Sequence, residues 1–231
     1  MTSRITLQPA FILHSKPFSD TSLIIDFLTL DYGRISLFAR GVRSSRSHMR
    51  SILQPFLPLL ISWAGKTDLP VLSKAEASNL ALNLSGDRLL SGFYLNELIT
   101  RLLQRHDPHP QTFHSYQTTL VALETTAKPE LPLRLFEKQF LADIGYGLQL
   151  AYDVADNPIA KDSYYTYVYG EGFKVNAEAE LSGDLFPGSS IVAMLQGTLS
   201  TSVEFRDAKR LMRLVIAAVL GGKPLKSREL F

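Results

Sequence analysis

The sequence predicts an α+β protein with two domains, a small β-barrel at the N-terminus and a mainly helical domain after it. Short runs rich in Ile, Leu, Phe and Val fill the first third of the chain, and a helical period takes over from about residue 80. Of the 231 residues, 45% are hydrophobic, which is enough for a core in each domain. We therefore expect one domain over residues 1–79 and a second over residues 80–231.

Five strands are expected in the first domain, separated by turn signals such as Lys16-Pro17. They occupy residues 10–14, 22–29, 34–40, 53–63 and 72–77. An open sheet of this size would expose its edges, so a closed barrel is expected, and the OB-fold is the common five-stranded solution. Pro55 and Pro58 each remove a donor from the fourth strand, which is therefore expected to be interrupted or to lie at a barrel opening.

The second domain is expected to consist of helices with one small inserted β-hairpin. Ser85 and Asp87 give an N-terminal cap signal for the first helix. Helical periodicity covers residues 85–105, 110–127, 130–144, 190–195 and 203–220. Between the third and fourth of these helices, tyrosine-rich residues 164–175 with glycines at the turn are typical of a hairpin.

The composition excludes several classes of protein. The chain has no cysteine, so disulfides and thiolate metal sites are absent. No apolar run is long enough for a membrane helix, and the N-terminus lacks the apolar core of a signal peptide, so we expect a cytoplasmic protein without membrane contact. Phosphate-loop, dinucleotide-binding and serine-nucleophile motifs are missing, so no enzymatic activity and no cofactor are expected.

The basic residues concentrate in the first domain, above all in residues 34–50. Up to residue 80 the chain carries nine Lys or Arg against five Asp or Glu. The stretch RISLFARGVRSSRSHMR contains no acid, and its five guanidinium groups belong to Arg34, Arg40, Arg43, Arg46 and Arg50. Guanidinium stays charged and binds phosphate oxygens with two N–H groups. A strand followed by a flexible basic loop is thus expected to bind a polyanion, the alternative being a solvated surface loop.

Two clusters of side chains are of types that bind metal ions. The alternative for both is that they are ordinary surface residues. The imidazoles of His106, His109 and His114 are of a type that binds transition metals, but two prolines interrupt the segment. Carboxylates at Asp153, Asp156 and Asp162 suit magnesium, as in a nuclease, although acids in a loop commonly serve solubility.

One helix face in the second domain combines cations with apolar side chains. Arg134 and Lys138 are four residues apart, and Leu131 and Leu135 lie beside them on the same helix. This combination suits an acidic peptide with a hydrophobic end. The alternative is an ordinary amphipathic helix with solvated cations.

Several motifs together resemble the bacterial RecO family of DNA repair and recombination mediators. They are AFILHSKPFSDTSLIIDFLT, ARGVRSSRS, LQPFLPLL, SGFYLNELITRLL, RLFEKQFLADIGYGL and LGGKPLKSRELF, in this order along nearly the whole chain. The resemblance implies an OB-fold joined to a helical domain without catalytic activity. It also implies a nucleoid-associated protein that binds single- and double-stranded DNA and anneals complementary strands.

The resemblance further implies protein partners and their sites. These partners are the acidic C-terminal tail of single-stranded DNA-binding protein, RecR and, indirectly, RecA. DNA contacts would fall on the basic segment, and the acidic tail would dock at Arg134. Lys223, Lys226 and Arg228 would contact DNA or a partner, or would only lock the C-terminus onto its own domain. Many relatives carry a four-cysteine zinc module, but this chain has no cysteine. The hairpin is therefore expected to be held by packing of Tyr164, Tyr165, Tyr167, Tyr169 and Phe173.

Two other functions remain open at this point. A generic OB-fold module that binds nucleic acid would share the basic barrel, but it would not anneal strands or need a site for an acidic tail. A metal-dependent nuclease would instead use the aspartate loop, and its activity would depend on a divalent cation.

Overall fold

The computed structural model describes residues 4–176 and 185–227. The chain divides into two compact units, of which the first comprises Met1–Thr125 with Leu225–Phe231 and the second Thr126–Pro224. Within the described residues, the first unit holds a β-barrel and two α-helices, and the second holds three α-helices and a small sheet. The predicted α+β class is confirmed. In the same residues, no helix is both long and apolar enough to cross a membrane.

Five strands close into the barrel of the first unit. They are β1 (Arg4–Phe18), β2 (Ser22–Thr29), β3 (Gly33–Ala39), β4 (Leu59–Ala64) and β5 (Val71–Ala77). Their order around the barrel is β1-β2-β3-β5-β4. Neighbours are antiparallel except β3 and β5, which meet in parallel at Phe38 and Val71. The predicted five-stranded barrel is therefore confirmed.

The first strand is much longer than the segment predicted at residues 10–14, because it pairs along both edges. It pairs with β2 on one side and with β4 on the other, and its register shifts at residues 5–8 and 12–14. Such bulges bend a strand, so that it can serve two neighbours. The fourth strand is shorter than predicted and begins directly after Pro58, which cannot donate a ladder hydrogen bond.

The barrel core also includes side chains from the connection between β3 and β4. The buried members of the core are Ala10, Ile12, Ile25, Phe27, Ile35, Leu37, Ala39, Val42, Leu57, Leu59, Ile61, Trp63, Leu72 and Ala75. Val42 and Leu57 lie in that connection, outside the strands. The connection therefore covers part of the core as well as joining two strands.

The opposite face of β1 packs against two helices, α1 (Asp87–Leu102) and α2 (Pro110–Thr125). The Phe11 ring lies 5.5 Å from the ring of Phe113 and 5.2 Å from that of Tyr116, measured between centroids. Both helices were predicted, and the buried residues of α2 are those expected from its period. Burial on both faces explains why β1 is so apolar at residues 10–13.

A buried polar contact supports β1 at its second bulge. The Asn96 side chain donates from Nδ2 to the carbonyl oxygens of Ile12 and Leu13, at 3.3 and 3.1 Å. Its Oδ1 accepts a hydrogen bond from the Tyr116 hydroxyl. Burial raises the pKa of Tyr116, so this hydroxyl stays protonated and remains a donor. Asn96 thus satisfies backbone carbonyls at the place where the β1–β2 register shifts.

The end of the described chain returns to the first unit and is held by Glu97 of α1. Its carboxylate accepts hydrogen bonds from the Lys226 amide at 2.9 Å, the Ser227 amide at 2.8 Å and the Ser227 hydroxyl at 2.6 Å. Leu225, which directly precedes Lys226 in the sequence, is buried. Burial raises the pKa of Glu97, whereas the hydrogen bonds and the charge of Arg101 lower it. The lowering effects together are larger, so the pKa of Glu97 lies below its ordinary value.

The second unit contains α3 (Glu130–Asp143), α4 (Gly188–Gln196) and α5 (Ser202–Val219). Its sheet has the order β7-β6-β8, in which β6 (Tyr164–Val168) and β7 (Gly172–Val175) form the predicted hairpin. The sequence did not predict β8 (Leu185–Pro187), because three residues directly before a helix are too short to show a period.

Aromatic side chains hold the hairpin on its inner face. Tyr165 and Phe173 are buried, and Phe173 packs edge-on against Phe186 of β8 at 6.2 Å between ring centroids. The predicted aromatic packing is confirmed for these residues. Tyr164 and Tyr169 are instead exposed, so they contribute less to this packing than predicted.

Replacing Asn96 with Leu is expected to destabilise the first unit by about 2–3 kcal/mol. The change keeps the size of the side chain but leaves the carbonyl groups of Ile12 and Leu13 without their Asn96 donor in a buried site. The measurement is urea unfolding followed by circular dichroism. Tyr116→Phe is the matched control, expected to cost about 1 kcal/mol because it removes the hydroxyl that donates to Asn96 but keeps the Asn96 donors to β1. An Asn96→Leu variant as stable as the wild type would show that the bulge needs no such support.

Removing the Glu97 carboxylate is expected to destabilise the protein in a pH-dependent way. Since the folded-state pKa is depressed, the contact contributes stability above the ordinary value of 4.5, and this contribution is lost as the pH falls through the folded-state pKa. Glu97→Gln should therefore cost about 1 kcal/mol near neutral pH, and the difference from wild type should shrink in acid.

The measurement is urea unfolding of both proteins between about pH 7 and about pH 3.5. The control is Glu171→Gln, which removes an exposed carboxylate paired with Lys174 at 2.6 Å and is expected to change stability little. A wild-type advantage over Glu97→Gln that stays constant across this range would contradict the assigned role of the carboxylate.

Candidate nucleic-acid interface

The connection between β3 and β4, residues 40–58, contains most of the predicted basic segment. It leaves β3 through Gly41, whose φ of 67° is easily adopted only by glycine. The Gly41 amide donates to the Ser22 hydroxyl at 3.3 Å, and the Arg43 amide donates to the Thr21 carbonyl at 2.8 Å. A short 3₁₀ turn follows at His48–Arg50. We refer to residues 40–54 as the basic loop.

Apolar side chains fix the basic loop on the barrel. Val42 is 2% exposed and belongs to the barrel core, and Met49, Ile52 and Leu53 are partly buried against the same core. The sequence predicted a flexible loop because these residues are not periodic. The structure instead shows a loop that is held at its start by hydrogen bonds and farther along by apolar contacts.

Four of the five predicted arginines extend from this anchored loop into solvent. Arg40, Arg43, Arg46 and Arg50 are exposed, and His48 is exposed among them. Within residues 4–176 and 185–227, none of the four forms an ion pair with a carboxylate. Arg43 donates from Nη1 to the carbonyl of Ser19 at 3.3 Å. The loop thus presents a group of positive charges without acidic neighbours in residues 34–50.

The fifth arginine, Arg34, has a different environment. It is half-buried in β3, and its Nε donates to the Leu103 carbonyl at 3.0 Å. Its own carbonyl accepts from the His106 amide at 3.0 Å. Burial lowers the pKa of Arg34, although the nearby charge of Asp26 raises it. Arg34 therefore connects the barrel to the segment after α1.

The predicted cations of the C-terminal tail are placed only in part. Lys223 and Lys226 are exposed, and Arg228 lies outside the described residues. The backbone amides of Lys226 and Ser227 donate to Glu97, so this part of the tail is held on the first unit. Attachment of the C-terminus to its own domain is one of the alternatives that the sequence analysis gives for the tail.

The predicted peptide face on α3 consists largely of groups with internal partners. Arg134 is 8% exposed, and its Nη2 lies 3.0 Å from Oε1 of Glu137, which is fully buried. Lys138 donates from Nζ to the carbonyls of Met194 and Leu195, at 3.0 and 2.9 Å. A cation at the last carbonyls of α4 stabilises that helix end. Leu131 and Leu135 are half-buried.

Exposed cations near Arg134 lie on α5, where the sequence did not predict a site. Arg206, Lys209 and Arg213 are exposed, and their spacing places them on one helix face. Burial lowers the pKa of Lys209, and the charges of Arg213 and Arg134 lower it further, against the opposing effect of Glu130 and Glu137. The i, i+3, i+7 spacing of the cations was the signal that could have identified this face.

The described residues contain no group of three His, Cys, Asp or Glu side chains arranged to hold a metal. In the histidine cluster, His109 Nε2 pairs with Asp107 Oδ2 at 3.1 Å. In the aspartate loop, Oδ1 of Asp153 accepts from the amides of Ala155 and Asn157, both at 2.9 Å. These bonds lower the pKa of Asp153 and stabilise a loop turn.

Comparison with known proteins gives matches over nearly the whole chain. A family model described as "Recombination protein O N terminal" matches residues 1–81, and one described as "Recombination protein O C terminal" matches residues 84–229. The chain is 45% identical to DNA repair protein RecO of Coxiella burnetii, over 100% of the chain and 99% of that protein. It is 42% identical to DNA repair protein RecO of Nitrosococcus oceani, with coverage of 98% and 93%. For the same protein of Vibrio cholerae the identity is 39%, with coverage of 97% and 93%.

Proposed function

The chain belongs to the RecO family of DNA repair proteins, and from this premise we propose that it acts as a recombination mediator that binds DNA through the basic loop. The observation that carries the proposal is the group of four exposed arginines on a loop fixed to the barrel. The proposed ligands are both single-stranded and double-stranded DNA, because both carry the phosphates that guanidinium groups bind.

The proposed activity is the annealing of complementary strands. Two strands repel each other, and a surface that neutralises phosphates on both of them makes their encounter faster. Counterions released from the phosphates supply much of the binding free energy. This process makes and breaks no covalent bond, so the proposal assigns no catalytic residue.

The proposed partners are those implied by the family resemblance. The acidic tail of single-stranded DNA-binding protein would recruit the chain to coated DNA, and together with RecR the chain would help RecA onto the strand. We place the tail at the cations of α5 near Arg134, because Lys209 and Arg213 are exposed whereas Arg134 and Lys138 have internal partners. Tethering to coated DNA would raise the effective concentration of the basic loop at the strand.

Replacing Arg43, Arg46 and Arg50 together with Ala is expected to weaken DNA binding and to reduce its dependence on salt. Each lost phosphate contact should lower the slope of log K against log salt by about 0.7 on single strands. The measurement is fluorescence anisotropy of a labelled oligonucleotide at several salt concentrations. The three side chains are exposed, so urea unfolding should be nearly unchanged.

The matched control replaces three exposed lysines outside the loop, Lys16, Lys66 and Lys74, with Ala. This variant has the same net charge as the triple arginine variant, so it separates the position of the charges from their number. Equal salt slopes for the arginine variant and the wild type would contradict the placement of the DNA site on the basic loop.

Replacing Lys209 and Arg213 with Ala is expected to weaken binding of an acidic peptide with a hydrophobic end by at least about fivefold, since two exposed charges are lost. Binding is measured by anisotropy of the labelled peptide. Arg134→Ala is a poorer test, because it would break the buried ion pair with Glu137 and destabilise the second unit. Lys161→Ala with Lys174→Ala is the control of equal charge. Unchanged peptide affinity in the α5 variant would place the peptide site elsewhere.

A further inference from the structure

A small depression opens in the surface of the barrel beside the basic loop. It is lined by Leu23 of β2 and by Val42, Arg43, Arg50 and Leu53 of the basic loop, and its volume is about 190 Å³. Its apolar lining comes from side chains that also contact the barrel core. The two arginines are exposed at its rim. A depression lined by three apolar side chains and two cations is therefore part of the surface proposed to bind DNA.

We propose that this depression takes one unstacked nucleobase of a single-stranded segment. The inference rests on the proposed function and adds to it the part of the nucleic acid that this site recognises. The apolar side chains of Leu23, Val42 and Leu53 would contact the base. The guanidinium groups of Arg43 and Arg50 would stack on the base or bind the phosphates on either side of it.

The charge and the lining together favour a nucleobase over other ligands. A phosphate alone would make no contact with the apolar side chains, and an apolar peptide side chain would gain nothing from the two cations. A nucleotide combines a flat, weakly polar base with an anionic phosphate. Loop residues 40–50, which carry four exposed arginines, would bind the neighbouring phosphates.

The position of Arg43 is fixed before any ligand arrives. Its amide donates to the Thr21 carbonyl at 2.8 Å, and its Nη1 donates to the Ser19 carbonyl at 3.3 Å. Arg50 lies in the 3₁₀ turn, where its amide donates to the Ser47 carbonyl at 3.2 Å. A preformed site loses little conformational entropy on binding.

A base site has a consequence for strand discrimination. The bases of a duplex are stacked and paired, so a duplex would contact the basic loop through phosphates alone. A single strand would add the base contact to its phosphate contacts. A single strand should consequently gain affinity from its bases, and this gain should disappear when the bases are removed.

The test compares a single-stranded oligonucleotide with a strand of equal length built from abasic nucleotides, which has the same phosphate charge. Wild-type protein is expected to bind the strand with bases at least about fivefold more tightly. Leu53→Asn, which makes the lining polar without changing charge, should lower the affinity for the strand with bases towards that of the abasic strand. Because Leu53 also packs against the barrel core, the change should lower duplex and abasic affinities as well, but by less than the affinity for the strand with bases.

The matched control is Leu80→Asn, since Leu80 is 84% exposed and does not line the depression. Equal binding of the two strands by the wild type would overturn the base site while leaving the proposed DNA binding intact. A folded Leu53→Asn variant that keeps the full preference for bases would also overturn it. Failure of the wild type to bind any of the strands or the duplex would overturn the proposed function together with this inference.

Discussion

The hydrogen bonds from Asn96 support β1, the strand that pairs along both edges in the first unit. The first strand pairs with two neighbours and is buried on both faces, so its bulge at residues 12–14 leaves carbonyl groups that water cannot reach. One amide group of Asn96 binds both carbonyls, and Tyr116 fixes its orientation. The same strand leads into the turn at residues 19–21, whose carbonyls hold Arg43. The turn that follows β1 thus holds the start of the basic loop.

Much of the fold could be predicted because the core follows simple periods. Ile35, Leu37 and Ala39 belong to the barrel core at every second position of β3, and Phe113, Tyr116, Leu120 and Leu123 recur at helical spacing in α2. The extra length of β1 could not be predicted, since its pairing with β4 joins residues far apart in sequence. The sequence also has no local pattern that shows the packing of α1 and α2 on β1. Asn96, which contacts β1, cannot be distinguished by its pattern from a solvent-exposed polar residue of a helix.

The candidate sites were harder to predict than the fold, because arginines in one stretch of sequence have different environments. Arg34 and Arg43 are both basic residues of the same segment, but Arg34 is half-buried against Leu103 and Arg43 is exposed. Likewise, Arg134 is buried with Glu137, whereas Lys209 is exposed on the neighbouring helix. Charge counts in a sequence identify a basic region, but only burial and hydrogen bonds show which cations are available to a ligand.

The most direct test of the proposed mediator role is an annealing assay on coated DNA. Two complementary oligonucleotides are coated with single-stranded DNA-binding protein, either intact or lacking its acidic tail, and duplex formation is followed over time. We expect the chain to accelerate annealing on strands with the intact coat, and we expect deletion of the tail to remove this acceleration. If the chain accelerates annealing of neither coated nor naked strands, the mediator role is contradicted, and the barrel is at most a module that binds nucleic acid.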